Sequence, residues 1–524
     1  MHSLAPLLLA AGPLAFGAVA LVAKFRLLDT RALYRLASLA ACLAGLAALA
    51  SAACLVVLGP STSLHIGSEH FAPRLRLDAL SVTMAALVSV LGAVIVRFTR
   101  SYFSGSPDQA IQLAKLCSVL SSVLAMTSAG DVVTLLVFWI GTSLTLDSLL
   151  VHHKDRAVAL RGAAKKFVLA RAGDVCLALA FALLAARFGT TEITVLTDRV
   201  REVGPTGATT AAAALVAAAA VLKSAQVPFS GWLVDLVDAP TPTSALLHAG
   251  VLNGGVFLLL RLSWLVAPAP GVLAALVLVG GLTAATMSIA MMAQPAVKTG
   301  LAYSSAAHMG YTMLLIGLGA PTCALLHLVA HSIYKAHAFL SSAELARRAS
   351  RHASPPPLVA FLAVAVGTAS FLFVGKLTGM WDGSLTHAIR GGIFALGMAP
   401  LVARKDGEHA AVPWIRAVTA PAAVACLLAA MERFGSLGLV GTFAVSAASF
   451  PVDAASVIAF VVLGAASFLS SQRGTSPSAL YRAVWVHARN GFYFSILFDR
   501  SFDIGRSRFA RALPLRHVQG KPSL

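Results

Sequence analysis

Apolar runs of bilayer length recur along this chain and leave it one class of fold. Approximate spans fall at 4–23, 33–58, 78–97, 113–129, 131–151, 165–186, 209–261, 271–293, 299–319, 322–342, 356–378, 385–403, 414–432 and 454–471. Most hold about 18 to 22 largely uncharged residues, the length a helix needs to cross hydrocarbon. Only 12% of the 524 residues are charged, against about 25% in a soluble domain. Lipid satisfies no backbone N–H or C=O, so spans of this kind must be helices. The expectation is an all-α polytopic membrane protein of about fourteen transmembrane helices, two inverted repeats and discontinuous helices among them. The first run has no A-x-A-like cleavage site followed by polar sequence, so it reads as a span and not a removed signal.

A formal charge of +19 invites a nucleic-acid partner. The placement of the cations argues instead for topology in a lipid bilayer. Lys24, Arg26, Arg31 and Arg35 follow the first span, Arg97 and Arg100 follow the third, and 152–171 carries Lys154, Arg156, Arg161, Lys165, Lys166 and Arg171. Basic segments on alternate sides put them in the cytoplasm and the N-terminus outside. The six cysteines are scattered without CxxC or metal-ligand spacing. Gly130-Asp131 opens the fifth span, and Asp174, inside the sixth, has Arg171 three residues earlier as a partner on its own face.

Within 209–261 the apolar pattern breaks. Pro228, Trp232, Pro240 and Pro242 interrupt it, together with Gly231, Asp235 and Asp238. Proline lacks the N–H a helix needs and clashes with the preceding turn. The stretch reads as one membrane helix broken in the middle, with Lys223 on one lip and His248 beyond the other. Broken helices at membrane depth are where transporters keep ion sites.

Ionisable side chains inside apolar runs are costly and mark pathways. Lys223 closes one such run, Lys298 opens another, and Lys376 stands in a third beside Gly379 and Trp381, a second interruption. In LLHLVAHSIYKAHAFL, His327, His331 and Lys335 recur every four residues, on one helix face, with His337 nearby. Burial and neighbouring positive charge bring lysines toward neutral titration, and histidine titrates there unaided. Such a row suits protons, whereas Na⁺ wants oxygen ligands. Two structural readings stand beside this one: Lys298 at a helix end snorkelling to the interface, and buried histidines serving as hydrogen-bonded core residues. Zinc in the histidine pair is disfavoured, because no carboxylate or thiolate lies at ligand spacing and Lys335 repels a cation.

The stretch KSAQVPFSGWL…APTPTSALLHA, with LAYSSAAHMGY and HLVAHSIYKAHAFL after it, resembles the antiporter-like membrane subunits of respiratory complex I and the Mrp cation antiporters. That resemblance implies a proton-translocating line at Lys223, His248, Lys298, His327, His331, Lys335 and Lys376. It also implies two antiporter-like halves, 113–293 and 294–472, behind N-terminal helices in 1–112. Two departures narrow it. Ile140 stands where complex I-type subunits carry a glutamate after Phe-Trp, leaving Asp147 or Asp174 to supply the charge, and the sequence leaves no room for a long lateral helix. Both, with HAGVLNGG, resemble the DabB family, the membrane subunits of inorganic-carbon accumulation systems in the cell inner membrane. The family resemblance implies a partner, DabA, similar to a zinc β-carbonic anhydrase, in which ion flow drives CO₂ hydration to bicarbonate. This chain itself offers no zinc, phosphate-loop, quinone, flavin or Fe–S signature, so it reads as a transporter subunit without a cofactor and not an enzyme. Alternatives are a pumping subunit of a respiratory or hydrogenase complex or Mrp antiporter, and a purely structural membrane anchor. The segment 473–524, basic with interleaved aromatics, reads as an interfacial helix, serving either partner docking or membrane adhesion.

Overall fold

The computed structural model describes residues 2–63, 73–150, 157–344, 357–378, 449–471 and 479–500, with scattered positions between 388 and 443. A 3₁₀ turn, Ala5–Ala10, leads into α1 (Ala11–Lys24), followed by α2 (Thr30–Leu58), α3 (Ala79–Tyr102), α4 (Gln109–Thr127), α5 (Val132–Leu150) and α6 (Ala157–Phe188). A short helix α7 (Ile193–Val203) precedes α8 (Gly207–Lys223), α9 (Gly231–Asp235), α10 (Thr241–Ala249), α11 (Gly254–Arg261) and α12 (Ser263–Val266). Then come α13 (Pro270–Ala293), α14 (Val297–Gly317), α15 (Pro321–Leu340), α16 (Pro357–Leu377), α17 (Phe450–Ser471) and α18 (Ala479–Arg489). The described residues hold one small sheet, the antiparallel pair Ser61–Thr62 and Arg76–Leu77.

Nine helices among the described residues are long and apolar enough to span a bilayer. The α14 and α15 helices, 21 and 20 residues long, are of spanning length too but carry the polar residues of interest. The spans expected at 385–403 and 414–432, and Gly379 and Trp381 of the second interruption, lie outside the described residues. Leucines 14, 39, 46 and 49 of α1 and α2 point outward, the lipid-facing side of a bundle, whereas α10 and α11 are buried along almost their whole length.

Local chemistry sets several boundaries. Asp78 caps α3 by accepting from the Ser81 N–H at 2.8 Å, and Asp131 caps α5 by accepting from the Thr134 N–H at 2.7 Å. Each satisfies a donor that a helix start leaves free. Thr206 and Thr209 form a capping box at α8. Arg261, at the end of α11, donates to Asp78 at 2.5 Å, to Ser81 Oγ at 2.7 Å and to the Thr127 carbonyl at 2.9 Å. One buried guanidinium thus ties α11 to α3 and to the end of α4. The α13 and α14 helices approach so closely at Gly280 and Gly310 that a side chain on either would meet the other backbone.

Three features differ from the sequence expectation. The stretch 209–261 is more than one helix broken once: α8 ends at Lys223, a connection containing α9 follows, and 241–261 forms a further span, itself interrupted by a 3₁₀ turn at Val251–Asn253. Three prolines and the glycines of HAGVLNGG permit several short elements where one break was read. The connection 187–208 contains α7, whose Ile193, Leu196 and Val200 are buried at helical spacing. Lys165, Lys166 and Arg171 belong to α6 rather than to a cytoplasmic loop, and both lysines are buried against carboxylates.

Candidate functional site

Lys223 ends α8, and its ammonium lies against α5. Nζ donates to the Trp139 carbonyl at 3.1 Å and to Ser143 Oγ at 3.2 Å, and sits 3.7 Å from the centre of a Trp139 ring. Aromatic faces attract cations electrostatically. Trp139, Ser143 and Asp147 recur every four residues and so share one face of α5. Asp147 does not bond Lys223; it pairs with Lys166 of α6 at 2.6 Å, and Lys166 also donates to the Ser143 carbonyl at 2.9 Å. Two lysines therefore meet at Ser143, three residues after Ile140. Asp174 pairs with Arg171 at 2.7 Å, as their spacing suggested. Ile140, next to Trp139, is half-buried.

A small cavity, large enough for a water molecule, adjoins this cluster. Ser143, Lys166, Lys223 and Trp232 help to line it. Trp232, in α9, is buried and its indole N–H makes no hydrogen bond. Pro228 lies in the connection before α9, Pro240 precedes α10, and Pro242 sits in the first turn of α10. The glycines of HAGVLNGG bring α11 against α8. A methyl on Gly254 would stand 3.2 Å from Lys223 Cε, and one on Gly255 would collide with the Ala220 carbonyl and Ser224 Oγ.

From here the polar residues pass to the second group of helices. His248 of α10 is fully buried and stacks on Phe339 of α15, with ring centres 4.2 Å apart and an 11° tilt. Asn253 donates to Ser332 Oγ of α15 at 2.7 Å. On α15, His331 and Lys335 are buried and His327 half-buried. Lys335 Nζ donates to the Leu301 carbonyl of α14 at 3.1 Å. His308 of α14, not singled out from the sequence, shares a 3.1 Å hydrogen bond with His327 through Nδ1 and Nε2. Its ring centre also lies 5.1 Å from that of His331. Neither ring nitrogen of His248 or His331 makes a hydrogen bond. Buried polar groups are normally paired, so these two rings stand apart from the hydrogen-bonded polar residues around them.

The structure brings His248 of α10 against α15, which carries His327, His331 and Lys335, while Lys223 lies at the contact of α8 with α5. Lys298 is half-buried in the first turn of α14, and Lys376 is exposed in the last turn of α16. These two are not drawn into the contacts just described. Also on α6, Lys165 bonds Asp235 of α9 at 2.7 Å and Asp499 at 2.7 Å, and Ser495 Oγ accepts from Lys165 at 2.9 Å and donates to Asp235 at 3.3 Å. Phe498 packs edge-on against Phe229 at 6.4 Å. The segment after α18 is thereby fastened to the connection that contains α9.

Helical spans, an interrupted helix after a lysine, and ionisable side chains within apolar helices define an all-α multi-pass membrane protein. Residues 129–355 match the sequence model of the family described as NADH:quinone oxidoreductase/Mrp antiporter, TM. The chain is similar to "Probable inorganic carbon transporter subunit DabB2" of Halothiobacillus neapolitanus, 39% identical over 284 residues, 54% of this chain and 52% of that one. It is also similar to "Probable inorganic carbon transporter subunit DabB" of Hydrogenovibrio crunogenus, 35% identical over 341 residues, 63% of this chain and 64% of the relative. NADH-quinone oxidoreductase subunit L of Pseudomonas aeruginosa is 34% identical over 272 residues, 51% of this chain and 44% of that one. The matched part thus covers less than two thirds of each of these relatives. In fold, the chain is similar to a chain of the Mrp complex from Dietzia sp., with a TM-score of 0.63, 22% identity, and coverage of 96% of this chain and 61% of that one. The resemblance to antiporter-like and DabB-type subunits therefore holds.

Proposed function

We propose that this chain is the ion-translocating subunit of an energy-coupled inorganic-carbon uptake complex in the cell inner membrane. In this reading protons pass between Lys223, His248, His331, His327 and Lys335, with water bridging the gaps. Lys298 and Lys376 serve as entry and exit groups of the two antiporter-like halves. The observation that carries the reading is the set of buried His248, His331 and Lys335 and half-buried Lys223 and His327 inside apolar helices, with His248 and His331 holding unpaired ring nitrogens. Ionisable groups are expensive in a bilayer interior and persist where they serve transport. The names of the DabB-type relatives support the substrate class. A carbonic-anhydrase-like, DabA-type partner that holds zinc would carry out CO₂ hydration.

Replacing Lys223 with Met tests this. Bicarbonate accumulation in cells should fall to background while the complex still assembles; growth of the variant at ambient CO₂ equal to wild type overturns the reading. Similarity to NADH-quinone oxidoreductase subunit L favours a second reading, a pumping subunit of a respiratory or Mrp-type complex. Co-purification decides between them: a large zinc-binding partner supports the first, and quinone oxidoreductase or Mrp subunits the second.

A further inference from the structure

His308 changes what the imidazoles of α15 can do. From the sequence, His327 and His331 are a pair one helical turn apart with no third ligand at metal-binding spacing. The fold supplies that ligand from α14. His308, His327 and His331 each offer a ring nitrogen, and these three atoms lie within 4.8 Å of one another. In a tetrahedral site with Zn–N bonds of about 2.0–2.1 Å, ligand nitrogens stand roughly 3.3–3.4 Å apart. His308 Nδ1 and His327 Nε2 already stand 3.1 Å apart. His331 is 3% exposed, and neither of its ring nitrogens has a hydrogen-bond partner. Bringing it into such a site takes a movement of about 1.5 Å at most, within the reach of a side-chain rotation. Lys335, the nearby cation, lies one turn beyond His331 and donates to the Leu301 carbonyl. Leu301 sits two turns before His308 on α14, and the ammonium held there remains close enough to act on His308 and His331.

We propose that His308, His327 and His331 form a binding site for a divalent late-transition metal ion, zinc by preference. Three neutral imidazoles are ligands that suit zinc, copper and nickel over magnesium or calcium. Zinc accepts three protein nitrogens with a fourth position left to water. Each ligating ring keeps its one proton on the nitrogen turned away from the metal, so the proton now shared between His308 and His327 moves to the far nitrogen of the ring that donates it, and binding to three neutral rings releases none. The site does not depend on these rings carrying protons in transport, because equilibrium binding rather than flux is read.

The test uses the full-length protein without a polyhistidine tag, purified in detergent, treated with chelator and dialysed against Zn²⁺ alone. Bound metal is counted by mass spectrometry across a concentration series. Wild type should bind one Zn²⁺ per chain, with affinity reduced at least tenfold by His308→Gln and by His331→Gln and unchanged by His337→Gln, whose ring is exposed on the same helix. A His308→Gln chain that binds as wild type does, or a wild type without stoichiometric binding, overturns the proposal. Co²⁺ gives a reading that needs no variant. An intense visible band from a four-coordinate ion supports the site, and the weak spectrum of a six-coordinate ion alone refutes it.

Discussion

Lys166 offers a quantitative test of how the polar cluster at Ser143 is held. Its side chain is 7% exposed and its Asp147 partner 17%, and the two are 2.6 Å apart. Its other hydrogen bond is to the Ser143 carbonyl. Asp147→Ala leaves a buried ammonium with that one neutral acceptor. Removing one member of a buried ion pair costs about 3–5 kcal/mol, because the other charge stays desolvated. That is roughly two to three and a half orders of magnitude in the folded-to-unfolded ratio. Replacing both members, Asp147→Leu with Lys166→Met, removes the charge along with its partner and should leave stability equal to wild type or higher. Thermal unfolding of the single and double variants, in one detergent at one pH, reads the difference. A single variant as stable as wild type would show that the pair is solvated. A double variant as unstable as the single would show that packing, not an unpaired charge, sets the cost.

Gly255→Ala should lower the unfolding temperature, since its methyl meets the Ala220 carbonyl and overpacking costs about 1–3 kcal/mol; an unchanged melt would mean that α8 and α11 are not held at this distance. Asp499→Ala should cost less than about 1 kcal/mol, because its side chain is 36% exposed and Lys165 keeps Asp235. Asp235→Ala should cost more by the same measurement, and the reverse order would contradict the geometry of this junction.

Much of the architecture was legible because lipid imposes simple rules. Apolar run length located the spans, Asp131 announced the start of α5, and the spacing of Arg171 and Asp174 gave their ion pair. The stripe on α15 was legible for the same reason, since residues four apart must share a face. Contacts between distant segments were not. His308 is a lone histidine in an apolar run, and its partner lies 19 residues away on another helix. Lys165 and Lys166 looked like topology determinants because counting cations in a segment is blind to the carboxylates opposite them. Asp147 was weighed as a partner for Lys223, but an adjacent lysine on α6 takes it. Helix α7 was passed over because its apolar face has three residues and no spanning length. The break after Lys223 was read from its prolines, whereas the second interruption at Val251–Asn253 rests on glycines that admit close packing rather than on a helix breaker.

The central claim is that buried cationic and imidazole groups hand protons across the bundle. Reconstitution of the complex into vesicles containing a pH-sensitive dye measures this directly. Lys223→Met and Lys335→Met should each cut proton flux at least tenfold while the purified complex keeps its size and composition. Flux equal to wild type in both would mean that these lysines carry no protons and that the chain serves its complex as a scaffold.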